Sequence, residues 1–168
     1  MYVIILEGAA QMLDIVTQIF TNPVLIVPAS AWIIAQIIKA IVNAVVNKKF
    51  SWSRLFGDGG MPSGHSATVS ALAVMCGIQS GFDSPIFGLA SIFAIVVMHD
   101  ALGVRRETGK QAISIIKIAG LLNDFLSEHN EEIKTDKLKV LVGHTPLQVL
   151  LGSALGIVVA VLYNLVFL

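Results

Sequence analysis

The sequence predicts an all-α fold, namely an integral membrane bundle of about four transmembrane helices with amphipathic helices at the membrane surface. Hydrophobic residues account for 55% of the chain and charged residues for 13%, whereas soluble domains carry about 25% charged residues. Long apolar runs alternate with short polar loops, which is typical of helices that cross a membrane. We therefore expect one helical membrane domain that comprises residues 1–168.

The N-terminal part predicts an amphipathic helix followed by the first transmembrane span. In residues 3–20, four polar side chains recur at helical spacing and share one face: Glu7, Gln11, Asp14 and Gln18. Such a helix can lie in the membrane interface or pack its polar stripe against other helices, and we favour the interface. The first span follows over residues 22–46 and begins with an Asn-Pro pair.

A second polar stripe follows one face of the first span. Its members recur at helical spacing: Gln36, Lys39, Asn43 and Asn47. A lysine within a span is energetically costly and usually faces a bundle interior or an aqueous cavity. Lys39 is therefore a candidate cation of a buried site. The alternative is that its long side chain extends to the nearby membrane surface.

The rest of the chain predicts further spans and one amphipathic helix. Three spans are expected over residues 66–80, 85–102 and 147–168. Residues 108–139 predict a membrane-adjacent amphipathic helix with a polar tail. Cys76 is the only cysteine, so an intrachain disulfide is excluded and a buried structural thiol is favoured. Gly152 and Gly156 form a surface suited to close helix packing.

Two helix starts each carry a histidine. Residues 59–67 read Gly-Gly-Met-Pro-Ser-Gly-His-Ser-Ala, with Ser63 as a good N-cap. Gly64 and His65 would then lie in the first turn, beside unpaired amides and the positive end of the helix dipole, where an anion such as phosphate binds well. His144 precedes a Thr-Pro pair that predicts another start. The alternative for the stretch around His65 is a capped membrane helix that begins with Ser-Gly-His and has no site.

Counting the spans places both histidines at the same membrane face. Ten of the eleven Lys and Arg residues also lie on that side, and Lys39 lies within its span. Cytoplasmic loops carry an excess of Lys and Arg, so we expect this face to be cytoplasmic.

Two histidines surrounded by cations suit phosphoryl transfer. One imidazole can attack phosphorus while the other protonates the leaving oxygen. The cations that would neutralise phosphate charge are Lys39, Arg54, Arg105 and Arg106. Metal binding by His65, His99 and His144 is a competing chemistry, but no cysteine, close histidine pair or carboxylate cluster accompanies them. We therefore expect no metal and no cofactor.

Three segments together carry a family resemblance. They are Met-Pro-Ser-Gly-His-Ser-Ala at 61–67, Gly-Val-Arg-Arg-Glu-Thr-Gly-Lys-Gln-Ala at 103–112 and Gly-His-Thr-Pro-Leu-Gln-Val at 143–149. The chain resembles the divergent type 2 phosphatidic acid phosphatase family, small bacterial and plant membrane proteins related to acid phosphatases and vanadium-dependent haloperoxidases. The resemblance covers nearly the whole chain and implies the cytoplasmic membrane of a bacterium as its location.

The resemblance also implies roles for individual residues. His65 would be the general acid and His144 the nucleophile, with Gln148 at the position of the carboxylate that follows the nucleophile in the family. The residues implied to bind phosphate are Lys39, Lys48, Arg54, Ser63, Gly64, Arg105 and Arg106. Asp100 is a further candidate at the corner after the third span.

The chain departs from the family pattern at the cations. Lys48 and Arg54 are one residue closer together than in the family's first motif, and no proline follows, so Lys39 is the rival lysine. Leu138 stands where the family has an arginine six positions before the nucleophile. An arginine of segment 103–112 would have to substitute for it.

The third departure is Gln148, which replaces the family's aspartate. Gln148 lies four residues after His144 and can contact it on one helical face, but it brings no charge to stabilise an imidazolium. Loss of the carboxylate from a histidine-orienting triad can cost about 10⁴ in rate.

Two functions remain open from the sequence. The first is a membrane phosphohydrolase that acts on a lipid phosphate or diphosphate through a histidine nucleophile at the cytoplasmic face. The second is a non-catalytic membrane protein that binds a lipid phosphate or a protein partner through the same site. A vanadate-dependent oxidase is less favoured. The expected partners are a membrane lipid and phosphate or a lipid phosphate, with no nucleic acid and no prediction of oligomeric state.

The charge distribution predicts that cysteines introduced at Ser51 or Thr135 face the cytoplasm. A membrane-impermeant thiol reagent applied to intact cells should leave them unmodified and should modify them once the membrane is permeabilised. The parent chain, with Cys76 alone, gives the background. Efficient modification in intact cells would instead place both histidines at the outer face.

Overall fold

The computed structural model describes residues 2–48, 60–126 and 143–167, and within these ranges the regular structure is entirely helical. The helices are α1 (Tyr2–Thr21), α2 (Pro23–Asn47), α3 (Gly64–Ser80), α4 (Pro85–Leu102), α5 (Val104–Leu126) and α6 (Pro146–Phe167). The predicted all-α class is therefore confirmed.

Three stretches of the described residues are long and apolar enough to cross a membrane. By length and composition they are Pro23–Val46, Pro85–Asn123 and Pro146–Phe167, and the second contains α4 and most of α5. The remaining predicted span corresponds to α3, whose 17 residues are slightly fewer than the roughly 20 that a spanning helix needs. The arrangement is consistent with about four spans, of which α3 is the shortest.

Polar caps define where these helices begin. The Asn22 side chain accepts from the amide of Val24 at 2.9 Å, and Pro23 supplies the first residue of α2. Ser63 caps α3 and Ser84 caps α4 in the same way. Such caps satisfy amides that have no acceptor within the helix. The helix starts at positions 22 and 63 agree with those expected from the sequence.

The amphipathic helix predicted over residues 108–139 begins earlier in the structure. The α5 helix begins at Val104, and Glu107 in its first turn donates its amide to the Gly103 carbonyl at 3.0 Å. An acidic side chain at this position favours a helix start because it complements the helix dipole. Residues 127–142, which include the predicted polar tail, lie outside the described residues.

The α3 helix lies at the centre of the bundle, packed against α2, α4 and α6. The buried core at these contacts consists mainly of small side chains: Val27, Ala31, Ala35, Ala67, Ala71, Met75 and Ala160. A Cβ atom at Gly156 would collide with the Ala67 carbonyl, and one at Gly152 with the Ser63 carbonyl. The two glycines therefore allow α6 to approach the backbone of α3, as their spacing predicts.

Large apolar side chains cover the outside of the bundle instead of its centre. Leu89 on α4, Leu150 on α6 and Leu121 on α5 are among the most exposed. Exposed apolar surface of this extent is typical of a protein solvated by lipid. On α1, the polar residues Gln11, Asp14 and Gln18 are exposed together with their apolar neighbours, so these three side chains do not pack against the described helices.

Gly156→Ala should destabilise the bundle, because the added methyl group would force α6 away from α3. Overpacking of this kind costs about 1–3 kcal/mol. Gly88→Ala is the matched control, since a Cβ there meets no atom within 4 Å and alanine favours a helix. Thermal unfolding in detergent should show a lower Tm for Gly156→Ala only. Equal Tm values for both variants would contradict the close packing.

Candidate functional site

The N-termini of α3 and α6 meet at one end of the bundle. The Ser63 amide donates to the Gln148 carbonyl at 3.0 Å, and the His144 amide donates to the Ala101 carbonyl near the end of α4 at 3.2 Å. The imidazoles of His65 and His144 lie edge to face, with ring centroids 6.3 Å apart. Two histidines separated by 79 positions in the sequence therefore share one site.

Gln148 and Thr145 form a reciprocal cap at the start of α6. The Thr145 hydroxyl accepts from the Gln148 amide at 3.4 Å, and the Gln148 Oε1 atom accepts from the Thr145 amide at 3.1 Å. This is a capping box, in which each side chain satisfies an amide that the helix leaves unpaired. Because the Thr145 amide donates a hydrogen, the Gln148 side-chain atom that it contacts is the oxygen and not the nitrogen.

The same oxygen atom determines the tautomer of His144. Gln148 Oε1 lies 3.2 Å from His144 Nδ1. Because a carboxamide oxygen only accepts hydrogen bonds, Nδ1 must carry the proton and donate it. In the neutral ring the lone pair then resides on Nε2, as a nucleophilic imidazole requires. His144 is 3% exposed, whereas His65 is only partly buried.

Ser63 and Gly64 build the start of α3. Ser63 is fully buried, and its hydroxyl oxygen accepts from the Ser66 amide at 3.3 Å and from the Ser66 hydroxyl at 3.0 Å. A Cβ at Gly64 would lie 3.2 Å from Cδ1 of Trp32 on α2. The Ser63 side chain thus serves as a cap, and Gly64 gives α2 room to approach. The first-turn amides are the groups that can face an anion.

Lys39 is the lysine that lies against the loop before α3. Its side chain is 5% exposed, and a Cβ at Gly60 would lie 3.1 Å from Lys39 Cγ. Gly60 has φ +103°, a left-handed conformation that favours glycine. Lys39 is therefore buried beside the site and does not extend to the surface. The rival Lys48 follows the end of α2 and is exposed.

Gln36 is a further polar residue near the start of α3, in addition to the site candidates that the sequence predicts. It lies one turn from Lys39 on α2, and its Nε2 atom would be 3.8 Å from a Cβ at Gly64. Its Oε1 atom is buried and has no hydrogen-bond partner within the part of the chain that the structure describes. The polar stripe on the first span contained the signal, since Gln36 and Lys39 share one face.

The remaining candidates lie at the edge of the site or outside the described residues. Asp100 is partly buried and precedes Ala101, whose carbonyl contacts His144. Arg105 and Arg106 belong to the first turn of α5, but their side chains lie outside the described part, as does Arg54.

The alternative metal site does not assemble. Among residues 2–48, 60–126 and 143–167, no group of three His, Cys, Asp or Glu side chains is close enough to hold a metal ion. His99, which that alternative required, is exposed on α4.

Fold and site together define a class: a helical membrane protein with paired histidines at two helix N-termini. The chain belongs to the Divergent PAP2 family, whose sequence profile matches residues 20–159 and thus includes all three segments of the resemblance. It is 38% identical over 157 residues to the uncharacterized membrane protein YuiD of Bacillus subtilis (strain 168), across 90% of this chain and 99% of that protein. No solved structure matches.

Two replacements of Gln148 should separate the effect of its hydrogen bonds from the effect of an added charge. Gln148→Leu removes both hydrogen bonds of Oε1, so it should lower stability by about 1 kcal/mol. The proton of the neutral His144 ring should then no longer be held on Nδ1. Gln148→Glu keeps the capping box and should retain stability and the Nδ1–H form. Thermal unfolding and ¹⁵N chemical shifts of the His144 ring measure both effects. An unchanged tautomer in the leucine variant would contradict the assignment.

Proposed function

We propose that this protein is a membrane phosphohydrolase that removes phosphate from a lipid phosphate or diphosphate at the cytoplasmic face. The observation that carries the proposal is the His144 ring, oriented by Gln148 and lying 6.3 Å from the ring of His65. Reacting atoms approach to about 3–3.5 Å before a step. A phosphoryl group between the two rings would therefore be within reach of both.

The reaction divides into two transfers. His144 Nε2 attacks phosphorus and forms an N–P bond while the P–O bond to the lipid breaks. The His65 imidazolium donates its proton to the leaving oxygen, which gives the lipid alcohol or monophosphate. Water then attacks the phosphohistidine, His65 accepts its proton, and inorganic phosphate leaves as the N–P bond breaks.

Charge stabilisation would come from groups at the same end of the bundle. Lys39 is buried beside the loop that leads into α3. The first turns of α3 and α6 add amides and the positive ends of two helix dipoles. Such groups act strongly where water is excluded. Arg105 and Arg106 at the start of α5 are proposed as the additional cations that replace the family's arginine.

A lipid is the proposed substrate because the site lies at the end of a bundle whose sides are covered with apolar residues. A phosphate on a membrane lipid reaches this level while its hydrocarbon remains in the bilayer. The distribution of Lys and Arg supports the cytoplasmic side.

One observation favours a second function, which is binding of a lipid phosphate without turnover. Gln148 orients His144 but supplies no negative charge to the imidazolium. An amide in place of the carboxylate can lower turnover by about 10⁴. The pocket would then bind phosphate and release the lipid unchanged.

Phosphate release from purified protein with a panel of lipid phosphates and diphosphates tests the proposal. His144→Ala should abolish release, and His65→Ala should lower it by about 10²–10⁴, as expected for loss of a general acid. His99→Ala is the matched control, because His99 is exposed on α4. Phosphate binding without release from any lipid would support the second function.

In the same assay, the Gln148→Glu variant tests whether His144 is the nucleophile. It keeps the side-chain length and the capping box while it adds a charge beside the imidazole. Release should increase above that of the parent and should still require His144. A stable variant without any gain, or with a gain that survives His144→Ala, would remove His144 from the role of nucleophile.

A further inference from the structure

The face of α3 that carries His65 continues toward the middle of the bundle. Leu72 and Cys76 follow His65 by seven and eleven residues, a spacing that places all three on one helical face. A rise of about 1.5 Å per residue puts them roughly 10 Å and 16 Å from His65 along the helix. This depth is comparable to one leaflet, which is half of a hydrocarbon core of about 30 Å.

A cavity of about 350 Å³ lies at this depth between α3 and α4. The residues that line it are all apolar: Leu72, Cys76, Ile86, Leu89, Ala90 and Phe93. Ala90 and Cys76 form its buried part, whereas Leu89 is 74% and Phe93 51% exposed. The cavity therefore opens on the surface of the bundle that faces lipid.

We propose that this cavity receives the hydrocarbon chain of the lipid whose phosphate lies between His65 and His144. The inference rests on the proposed function for the position of the phosphate alone. Leu72 and Cys76 lie on the same side of α3 as His65, roughly 10–16 Å from it along the helix, so a lipid with its headgroup at the histidines has its chain at the level of the cavity.

Hydrocarbon is the occupant that fits the lining. A protein backbone brings amide and carbonyl groups that need partners, and none of the six lining side chains supplies a strong donor or acceptor. A lipid chain enters such a cavity from the bilayer and not from water, so its affinity comes from van der Waals packing against the lining, which grows with the length of chain that fits. The cavity thus makes chain length a determinant of substrate choice, and Ala90 and Cys76 determine how deeply a chain enters.

Photo-crosslinking tests the position of the chain without requiring turnover. The probe is hexadecyl phosphate with a diazirine at the far end of its chain, used with the whole protein in lipid nanodiscs. The reference probe is the phosphocholine of the same chain, which samples the lipid-facing surface. We expect the phosphate probe to modify peptides that contain the lining residues at least fivefold more than the reference probe does.

Two variants make this result specific. Ala90→Phe fills the buried part of the cavity and should lower the labelling at least fivefold. Val158→Phe, on the exposed surface of α6, is the matched control and should not change it. Because Ala90→Phe can disturb folding, Phe93→Ala provides a second variant at an exposed wall and should also lower the labelling. Each variant is compared with the parent at equal amounts of folded protein.

The outcomes distinguish this inference from the proposed function. Equal labelling by the two probes, labelling mainly on α6, or crosslinks between two copies of the chain would overturn the chain site. Labelling that both cavity variants retain would overturn it as well. Specific labelling of the cavity without phosphate release from any lipid would instead overturn hydrolysis and leave the chain site supported.

Discussion

The close approach of α3 and α6 is the constraint on which the site depends. Gly152 and Gly156 have no side chains where α6 meets the carbonyls of Ser63 and Ala67. The α6 backbone can therefore come near enough for the Gln148 carbonyl to accept the Ser63 amide. That contact joins the two helix starts and brings the imidazoles of His65 and His144 to 6.3 Å.

A carboxylate beside a histidine both orients the ring and stabilises its imidazolium form, whereas the neutral Gln148 can only orient the ring. Its oxygen orients the His144 ring and completes the cap of α6. The charge that would stabilise an imidazolium is absent from this side chain. This chain thus combines an oriented histidine with a neutral side chain at position 148.

The centre of the bundle and its outer surface are both largely apolar, and the buried polar residues of the site lie at one end of the bundle. Small residues bury the middle of α3, while large apolar residues cover the outside. The buried Lys39 and His144 lie at the end where α3 and α6 begin. A cation and polar side chains in a membrane protein are costly unless they face a polar site, and this arrangement concentrates them there.

The sequence by itself determined the all-α membrane class and the helix starts at positions 22 and 63, because hydropathy and caps are local signals. It also located one histidine at each of two helix starts, because Ser63 and the Thr-Pro pair after His144 are local start signals. Only the tertiary structure showed that Lys39 is buried whereas Lys48 is exposed, that the buried oxygen of Gln36 has no hydrogen-bond partner among the described residues, and that a cavity lies between α3 and α4. These features depend on contacts between segments far apart in the chain, and no local pattern of residue types specifies such contacts.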